Sequence, residues 1–311
     1  MLPKLDVVVL TRDHAAYVGQ ALESILAQQV PFAVAVLVGV DASADDTAQV
    51  VASYCQRYPG RIAALYHAQP VGAGANLAAC LRRCQGQYLA VLEGDDYWAH
   101  PQKLARQVAW LDQRPGCSLC FHPVRVVRAD APPGHPAEYL PALPLPTRPR
   151  SFSFADMLRR TVAHTSAAVL RRAACPLPDW LFAVYPLDFA VFALYTEAGQ
   201  ATMLPEAMSC YRIHAGGSWS AAPLAWRQQQ FLHMLGQLVA HYAGTRRAGL
   251  LRRMQAYHLV QAADQCVAYG QPDRAAPLLH EAARAWRGYT PHHVKSLLGV
   301  GLRWLRHRRE S

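Results

Sequence analysis

Residues 5–127 alternate short apolar runs with stretches whose apolar positions recur at helical spacing. Strands are predicted at Leu5–Leu10, Ala33–Val40, Arg61–Tyr66, Tyr88–Leu92 and Cys117–Val127, with helices near 15–28, 45–57, 74–84 and 101–113 between them. Such alternation predicts an α/β fold built on a doubly wound, mostly parallel sheet. Asp45-Asp46-Thr47 supplies side-chain oxygens and negative charge where the second helix should begin. Seven prolines between Ala129 and Arg150 then remove backbone donors, which predicts a surface loop over 129–150 able to act as a flap. The pattern resumes with a helix at 153–160, a strand near Thr165–Arg171, a helix at 185–197 and strands around Ala201–Leu204 and Ala207–Ile213. Beyond Pro223 it is helical, with candidates at 223–243, 246–269, 272–285 and 291–308.

At 311 residues, 52% hydrophobic and 17% charged, the chain can bury a full core, which excludes extended disorder. The net charge of +10 is uneven: residues 222–311 hold 13 Lys/Arg against 4 Asp/Glu, while residues 1–221 are nearly balanced at 18 against 17. Chain organisation and charge therefore divide together near residue 221. The eight cysteines are scattered and the chain opens directly on a strand-like run, so reduced thiols and a cytoplasmic location are expected. Cys117-Ser118-Leu119-Cys120 has CxxC spacing but no second pair at zinc-finger distance. The longest apolar runs fall far short of the ~20 residues of a membrane span.

Candidate chemistry concentrates at strand ends. Glu93-Gly94-Asp95-Asp96-Tyr97-Trp98 follows the apolar run Tyr88–Leu92, placing two adjacent carboxylates at the carboxyl end of a buried strand. That is where open α/β sheets bind ligands, and paired acids there suit a divalent cation carrying a phosphorylated ligand; they equally suit the cap of the next helix. Thr11-Arg12-Asp13-His14 closes the first strand and Asp41 the second. In a parallel sheet these three polar clusters share one rim, which points to a nucleotide site.

Leu10 to His14, Ala21 to Leu26, the Asp41 turn, Gly72 to Asn76 and Leu92 to Trp98 resemble the successive motifs of family 2 glycosyltransferases with the GT-A fold. Tyr185-Pro186-Leu187-Asp188 and Tyr211 to Ser220 resemble two later motifs of a bacterial branch, so the resemblance covers about residues 4–220. It implies an inverting transferase that moves a sugar from a nucleoside diphosphate, with a UDP-sugar preferred, to a glycan or lipid-linked acceptor in cell-surface polysaccharide synthesis. By position it implies nucleotide-sugar contacts from Thr11, Arg12, Asp13, Asp41, Asn76, Asp95 and Arg212. Mn2+ or Mg2+ would be held by Asp96, Asp95 and His214, the general base would be Asp188, and Trp98 and Trp219 would lie on the acceptor side. The implied domains are a catalytic unit over 1–221, with a nucleotide-binding half 1–128, the loop 129–150 and an acceptor-side half 151–221, followed by a helical region 222–311. Two positions depart from the family: Arg12-Asp13 replaces an aromatic residue and Asn, and Ala75 stands where a basic residue is common.

Met254 to Trp286 resembles a tetratricopeptide-like helical hairpin. The final segment sets Val294, Leu297, Leu298, Leu302 and Leu305 on one side with Lys295, Arg303, Arg306, Arg308 and Arg309 around or beyond them. Such a basic amphipathic helix either docks on the protein or contacts the anionic inner face of a membrane. A nucleotidyltransferase, and a sugar-nucleotide-binding scaffold of little or no activity, remain alternatives. Nucleic-acid binding is not expected, because the basic tail carries no motif beyond charge.

Overall fold

The computed structural model describes residues 2–128, 137–141, 145–159, 163–268 and 271–285. The chain divides into two compact units, residues 1–183 with 187–220, and residues 184–186 with 221–311.

The first unit begins with four strands that are mutually parallel: β1 (Leu5–Thr11), β2 (Val34–Val40), β3 (Ile62–Tyr66) and β4 (Tyr88–Glu93), in the spatial order β3-β2-β1-β4. Helices α1 (Val18–Leu26), α2 (Thr47–Arg57) and α3 (Gly72–Leu81) connect them. β1 and β4 are buried nearly throughout, which is why they read as continuous apolar runs rather than as alternating ones. The core joins Leu5, Val7 and Val9 of β1 to Leu22 and Ile25 of α1 and to Tyr88, Ala90 and Leu92 of β4.

After β4 the chain makes a two-residue strand, β5 (Tyr97–Trp98), and a helix, α4 (Lys103–Asp112), before β6 (Cys117–Phe121) and β7 (Val124–Arg128). The single strand expected over Cys117–Val127 is thus two. Pro123 has no N–H to continue the ladder, and the break at His122-Pro123 moves the chain from the main sheet to a second one ordered β5-β12-β7-β8, where β8 is Glu138–Leu140 and β12 is Ser209–Ile213. β8 lies inside the stretch expected as loop; it pairs antiparallel with β7 through Glu138 to Leu140, which hold no proline. The flap expectation rests largely on residues outside the described ones.

The main sheet continues from β4 to β10 (Val169–Arg171), then β6, β11 (Gln200–Met203) and the edge strand β9 (Arg150–Phe152). Helices α5 (Phe154–Arg159) and α6 (Leu187–Ala198) complete this unit. β10 is antiparallel to both β4 and β6, with Leu170 opposite Leu89. β10 pairs with the first residues of β4, so the turn before it, Thr165–Ala167, packs along β4 in the direction of the acidic motif. Cys117 and Cys120 are both buried free thiols in the core, and neither belongs to a group of three metal-ligating side chains among the described residues.

The second unit holds α7 (Leu224–His241), α8 (Arg246–Ala268) and α9 (Pro272–Arg284). Small residues Ala256, Ala263, Ala275 and Ala282 are buried between α8 and α9 with Leu259, Val260 and Val267, giving the close-packed hairpin that the alternation of small and large residues predicts. No helix among the described residues is long and apolar enough to cross a membrane. The basic helix expected over 291–308 lies outside the described residues.

Candidate functional site

β1 is flanked by β2 and β4 in parallel register, with Thr11 opposite Val40 and Leu10 opposite Glu93. The polar residues that follow each strand are thereby brought to one rim. Gly94 lets the two strand ends meet: a Cβ there would lie 2.8 Å from Thr11 Oγ1 and 2.9 Å from His14 Nδ1. The Asp96 N–H donates to Glu93 O at 3.0 Å, a tight turn that feeds β5. β5 then pairs with β12, Tyr97 opposite Cys210. That pairing carries Arg212 and His214, more than a hundred residues away in sequence, onto Asp95 and Asp96.

Two clusters result. In the first, His214 Nε2 lies 3.1 Å and His14 Nε2 3.7 Å from the same Asp95 oxygen. Tyr17 packs on the His214 ring at 4.7 Å, and the Arg212 guanidinium lies over Tyr17 at 4.6 Å while donating to Asp95 O and, at 2.6 Å, to Gln20 Oε1. Burial lowers the His14 pKa against the pull of the Asp95 charge.

In the second cluster Asp96 is only 1% exposed. Its Oδ1 accepts the Arg212 N–H at 2.8 Å, whereas Oδ2 has no hydrogen-bond partner among the described residues. Glu93 Oε2 is likewise buried without a partner. His164 Nδ1 lies 3.7 Å from Asp96 Oδ2, and ligand atoms of Glu93, Asp96 and His164 fall within 4.8 Å of one another. Burial, then the charges of Asp95 and Asp188, push Glu93 up to about 8; burial, then Glu93 and Asp95, raise Asp96 well above the usual carboxylate range. Burial lowers His164 to about 4, which keeps its imidazole neutral. Buried acceptors that lack donors but face one another fit a cation, which cancels their mutual repulsion and binds ionised carboxylate and neutral imidazole.

Asp188 sits in the first turn of α6, partly exposed, with Oδ1 accepting the Phe189 N–H at 2.7 Å. Burial raises it to about 6, and the raised Glu93 feels its charge. A carboxyl group near 6 is poised to exchange protons at neutral pH.

Several other residues expected to hold the nucleotide also bond the scaffold. Asn76 is fully buried; it donates to Gly39 O at 2.9 Å and its Oδ1 meets His67 Nε2 at 3.2 Å, so it locks α3 onto β2 rather than facing a ligand. A Cβ on Gly39 would lie 2.2 Å from that Oδ1, so glycine is required for this contact. Asp41 spends both oxygens on backbone N–H groups, Oδ1 on Ala42 and Val71 and Oδ2 on Gly72, tying β2 to the start of α3. Asp13 takes the left-handed conformation (φ 53°) and accepts the Ala44 N–H at 2.7 Å. Together with Ser43, Asp45 and Thr47, which accept the N–H groups of Asp13, Ala15 and His14, it lashes the first two loops of the rim together. Arg12 is exposed with Nε 3.6 Å from Asp13, Thr11 is buried at the rim with its Oγ1 unpartnered among the described residues, and Trp219 is half-buried.

Trp98 corrects the acceptor-side expectation. It is buried in the core, its Nε1 donating to Ser166 O at 3.0 Å and the Lys103 ammonium lying 4.3 Å from its ring centre, so no ring face is left for a sugar. Reading the motifs overlooked Glu93 as a ligand candidate, although it adjoins the acid pair, and His164, for which periodicity carries no signal.

The sequence profile of glycosyl transferase family 2 matches residues 6–175. An uncharacterized protein of Mycobacterium tuberculosis is 36% identical over 219 residues, 70% of this chain and 61% of that protein; this chain thus spans about three fifths of the mycobacterial relative's length. TuaG of Bacillus subtilis, named as a teichuronic acid biosynthesis glycosyltransferase, is 24% identical over 241 residues, covering 75% of this chain and 91% of TuaG. Among solved structures, S. aureus TarS residues 1–349 with UDP-GlcNAc aligns at TM-score 0.65 and 16% identity over 98% of this chain and 89% of its own. The mannosyltransferase PcManGT from Pyrobaculum calidifontis, with GDP-Man and Mn2+, aligns at TM-score 0.56 and 16% identity over 98% and 88%. These likenesses establish a fold of the GT-A type.

Proposed function

The chain belongs to glycosyl transferase family 2, and on that premise we propose that it transfers a sugar, with inversion, from a nucleoside diphosphate to a glycan or lipid-linked acceptor. The observation that carries this reading is the pairing of two groups on one rim: a buried acidic strand end with unpartnered oxygens, and a carboxyl group near 6 at Asp188 whose charge reaches Glu93. One suits a cation-borne diphosphate, the other a hydroxyl proton.

Asp188 takes the proton of the acceptor hydroxyl as that oxygen attacks the sugar carbon from the face opposite the diphosphate. A divalent cation, Mn2+ or Mg2+, supplies positive charge to the leaving diphosphate when bound. Asp96 would be its central protein ligand, with Asp95 and His214 completing the set. Arg212, fixed by Asp95 O, Gln20 and Tyr17, holds the acidic turn and adds positive potential beside it. Arg12, exposed just after β1, meets the nucleotide base in this reading, where its planar guanidinium can stack. Trp219 lies on the acceptor side. A UDP-sugar donor is supported by the UDP-GlcNAc seen with TarS, and metal use by the Mn2+ seen with PcManGT. Work at the cytoplasmic face of a membrane in cell-surface polysaccharide synthesis accords with the basic segment 222–311 and with the teichuronic acid role in the name of TuaG.

A panel of UDP-, GDP- and dTDP-sugars, scored for nucleoside diphosphate release with Mn2+, Mg2+ or chelator, tests this. Metal-dependent release with one donor and a product inverted relative to that donor are expected. Retention of configuration would refute the mechanism, tight donor binding without turnover would point to a scaffold, and incorporation of labelled phosphate would point to nucleotidyl transfer.

A further inference from the structure

Helix α8 closes its inner side with Ala248, Leu251, Ala256, Leu259 and Val260, all buried, the last three in one cluster with residues of α9. Its outer side differs from the solvated face that such a helix usually carries. Arg246, Leu250, Arg253 and Tyr257 are all exposed, and their spacing of four, three and four residues sets them one above another on a single stripe over about three turns. Exposed Arg252 and half-buried Arg247 flank the stripe on its two sides. Leu250 is 36% and Tyr257 37% exposed, so two large side chains with apolar bodies meet water between guanidinium groups.

The charge of this stripe has no counterpart in the surrounding sequence. From Ala221 to Ala263 the chain holds five arginines and no aspartate or glutamate. Solvated helices normally interleave both signs, because opposite charges one turn apart support a helix and like charges weaken it. α8 also opens on two arginines with no acid in its first turn, against the helix dipole. A negative surface along the stripe offsets both costs. An anionic membrane answers each side chain at once: lipid phosphate takes the forked guanidinium groups, the headgroup layer suits a tyrosine ring with its hydroxyl, and the acyl boundary takes leucine.

We propose that the outer stripe of α8, made of Arg246, Leu250, Arg253 and Tyr257 with Arg247 and Arg252 at its sides, is a docking surface for the phosphate-bearing headgroups of an anionic membrane. This rests on the reading that the enzyme works at a membrane face, and it gives that contact a place in the fold separate from the basic segment 291–311. Reversible attachment of a peripheral protein takes two weak signals together, so the stripe and the terminal segment are each needed and neither suffices alone.

The test is co-sedimentation of the full chain with phosphatidylcholine vesicles, with and without phosphatidylglycerol, at low and high salt. Wild type should pellet with the anionic vesicles at low salt and be released by high salt. Arg246→Glu combined with Arg253→Glu should weaken that binding by about tenfold or more, whereas Arg246→Lys combined with Arg253→Lys, which keeps the charge, should retain most of it. Leu250→Ser combined with Tyr257→Ser should weaken it by about threefold or more. All four side chains are exposed, so circular dichroism and nucleoside diphosphate release in free solution should match wild type in every variant. Anionic-vesicle binding unchanged by the charge reversal would overturn the inference and leave the membrane reading standing. Equal binding of wild type to neutral and anionic vesicles would overturn it too, because the phosphate charge would then play no part. Wild type that binds no vesicle but is held on heparin through the same arginines would overturn it in favour of a polyanionic partner, and wild type that binds neither would overturn the membrane reading along with it.

Discussion

Replacing Asp188 by Asn separates a base from a helix-end charge, because the two roles predict opposite signs in different assays. A carboxylate in the first turn of a helix normally stabilises it by about 0.3–1 kcal/mol through the helix dipole. Here burial outweighs both that effect and the Phe189 N–H, and the group rises from its ordinary 3.8 to about 6. A carboxyl group whose folded pKa is raised favours the folded state at low pH and loses that contribution as pH climbs through about 6. At pH 7 the ionised Asp188 thus costs stability, and Asp188→Asn, which keeps an acceptor for the Phe189 N–H, should leave the protein as stable or more stable by about 1–2 kcal/mol. Activity should move the other way. The base works only when ionised, so log kcat/KM of the wild type should fall by about one for each pH unit below about 6. At pH 7 the Asn variant should lose about 10²–10⁴ in kcat with little change in donor affinity, since the proton moves only in the transition state. Nucleoside diphosphate release from pH 5 to 8, beside thermal unfolding of both proteins, reads every arm. A wild-type profile flat to pH 5, or an Asn variant that loses stability while keeping kcat, would refute the base.

Three further outcomes follow from the geometry. Lys103 is fully buried, its Nζ has no hydrogen-bond partner among the described residues, and burial lowers it to about 7. Suppressing its charge at pH 7 costs about 4 kcal/mol, of which the Trp98 ring returns about 2, so Lys103→Met should stabilise by about 1–3 kcal/mol in urea unfolding. Because the unfolded lysine stays protonated to about 10.4, wild-type stability from this group rises with pH from about 7, and the gap to the Met variant should narrow by pH 9; a constant gap would mean the amine is not the cause. Gly94→Ala sets a Cβ 2.8 Å from Thr11 Oγ1 and 2.9 Å from Thr11 Cβ, which should cost about 1–3 kcal/mol in thermal unfolding and at least tenfold in nucleoside diphosphate release; a silent substitution would show that the strand ends can separate. Deleting residues 291–311 should release the protein from anionic vesicles at low salt, while donor hydrolysis persists, because basic residues contribute about 1 kcal/mol each near such a surface; equal binding of both forms in sedimentation would assign attachment elsewhere.

The apolar runs foretold the strands because β1, β4 and β6 are buried nearly throughout, and a strand buried on both faces can be written in little but apolar residues. The same signal overran at Cys117–Val127, where one proline redirects the chain between sheets without interrupting hydrophobicity. Polar residues at strand ends were legible as a rim but not as a site. Asp13, Asp41, Asn76, Asp95 and Asp96 look alike in sequence, yet the first three bond the protein's own backbone, Asp95 is matched by His214, and Asp96, whose Oδ1 takes the Arg212 N–H, keeps Oδ2 without a hydrogen-bond partner among the described residues. Whether an oxygen faces an N–H is decided by loop conformation, as in the left-handed Asp13, and residue type does not encode it. His164 was hidden for another reason. It lies 68 residues after Asp96, and the two meet because β10 enters the sheet antiparallel beside β4, a reversal that an alternating βα pattern gives no reason to expect. The residues that build the rim are thus those whose polar atoms are already spent. The residues with chemistry left to do are those the fold buries and leaves unsatisfied, and only the three-dimensional ledger of donors and acceptors separates the two.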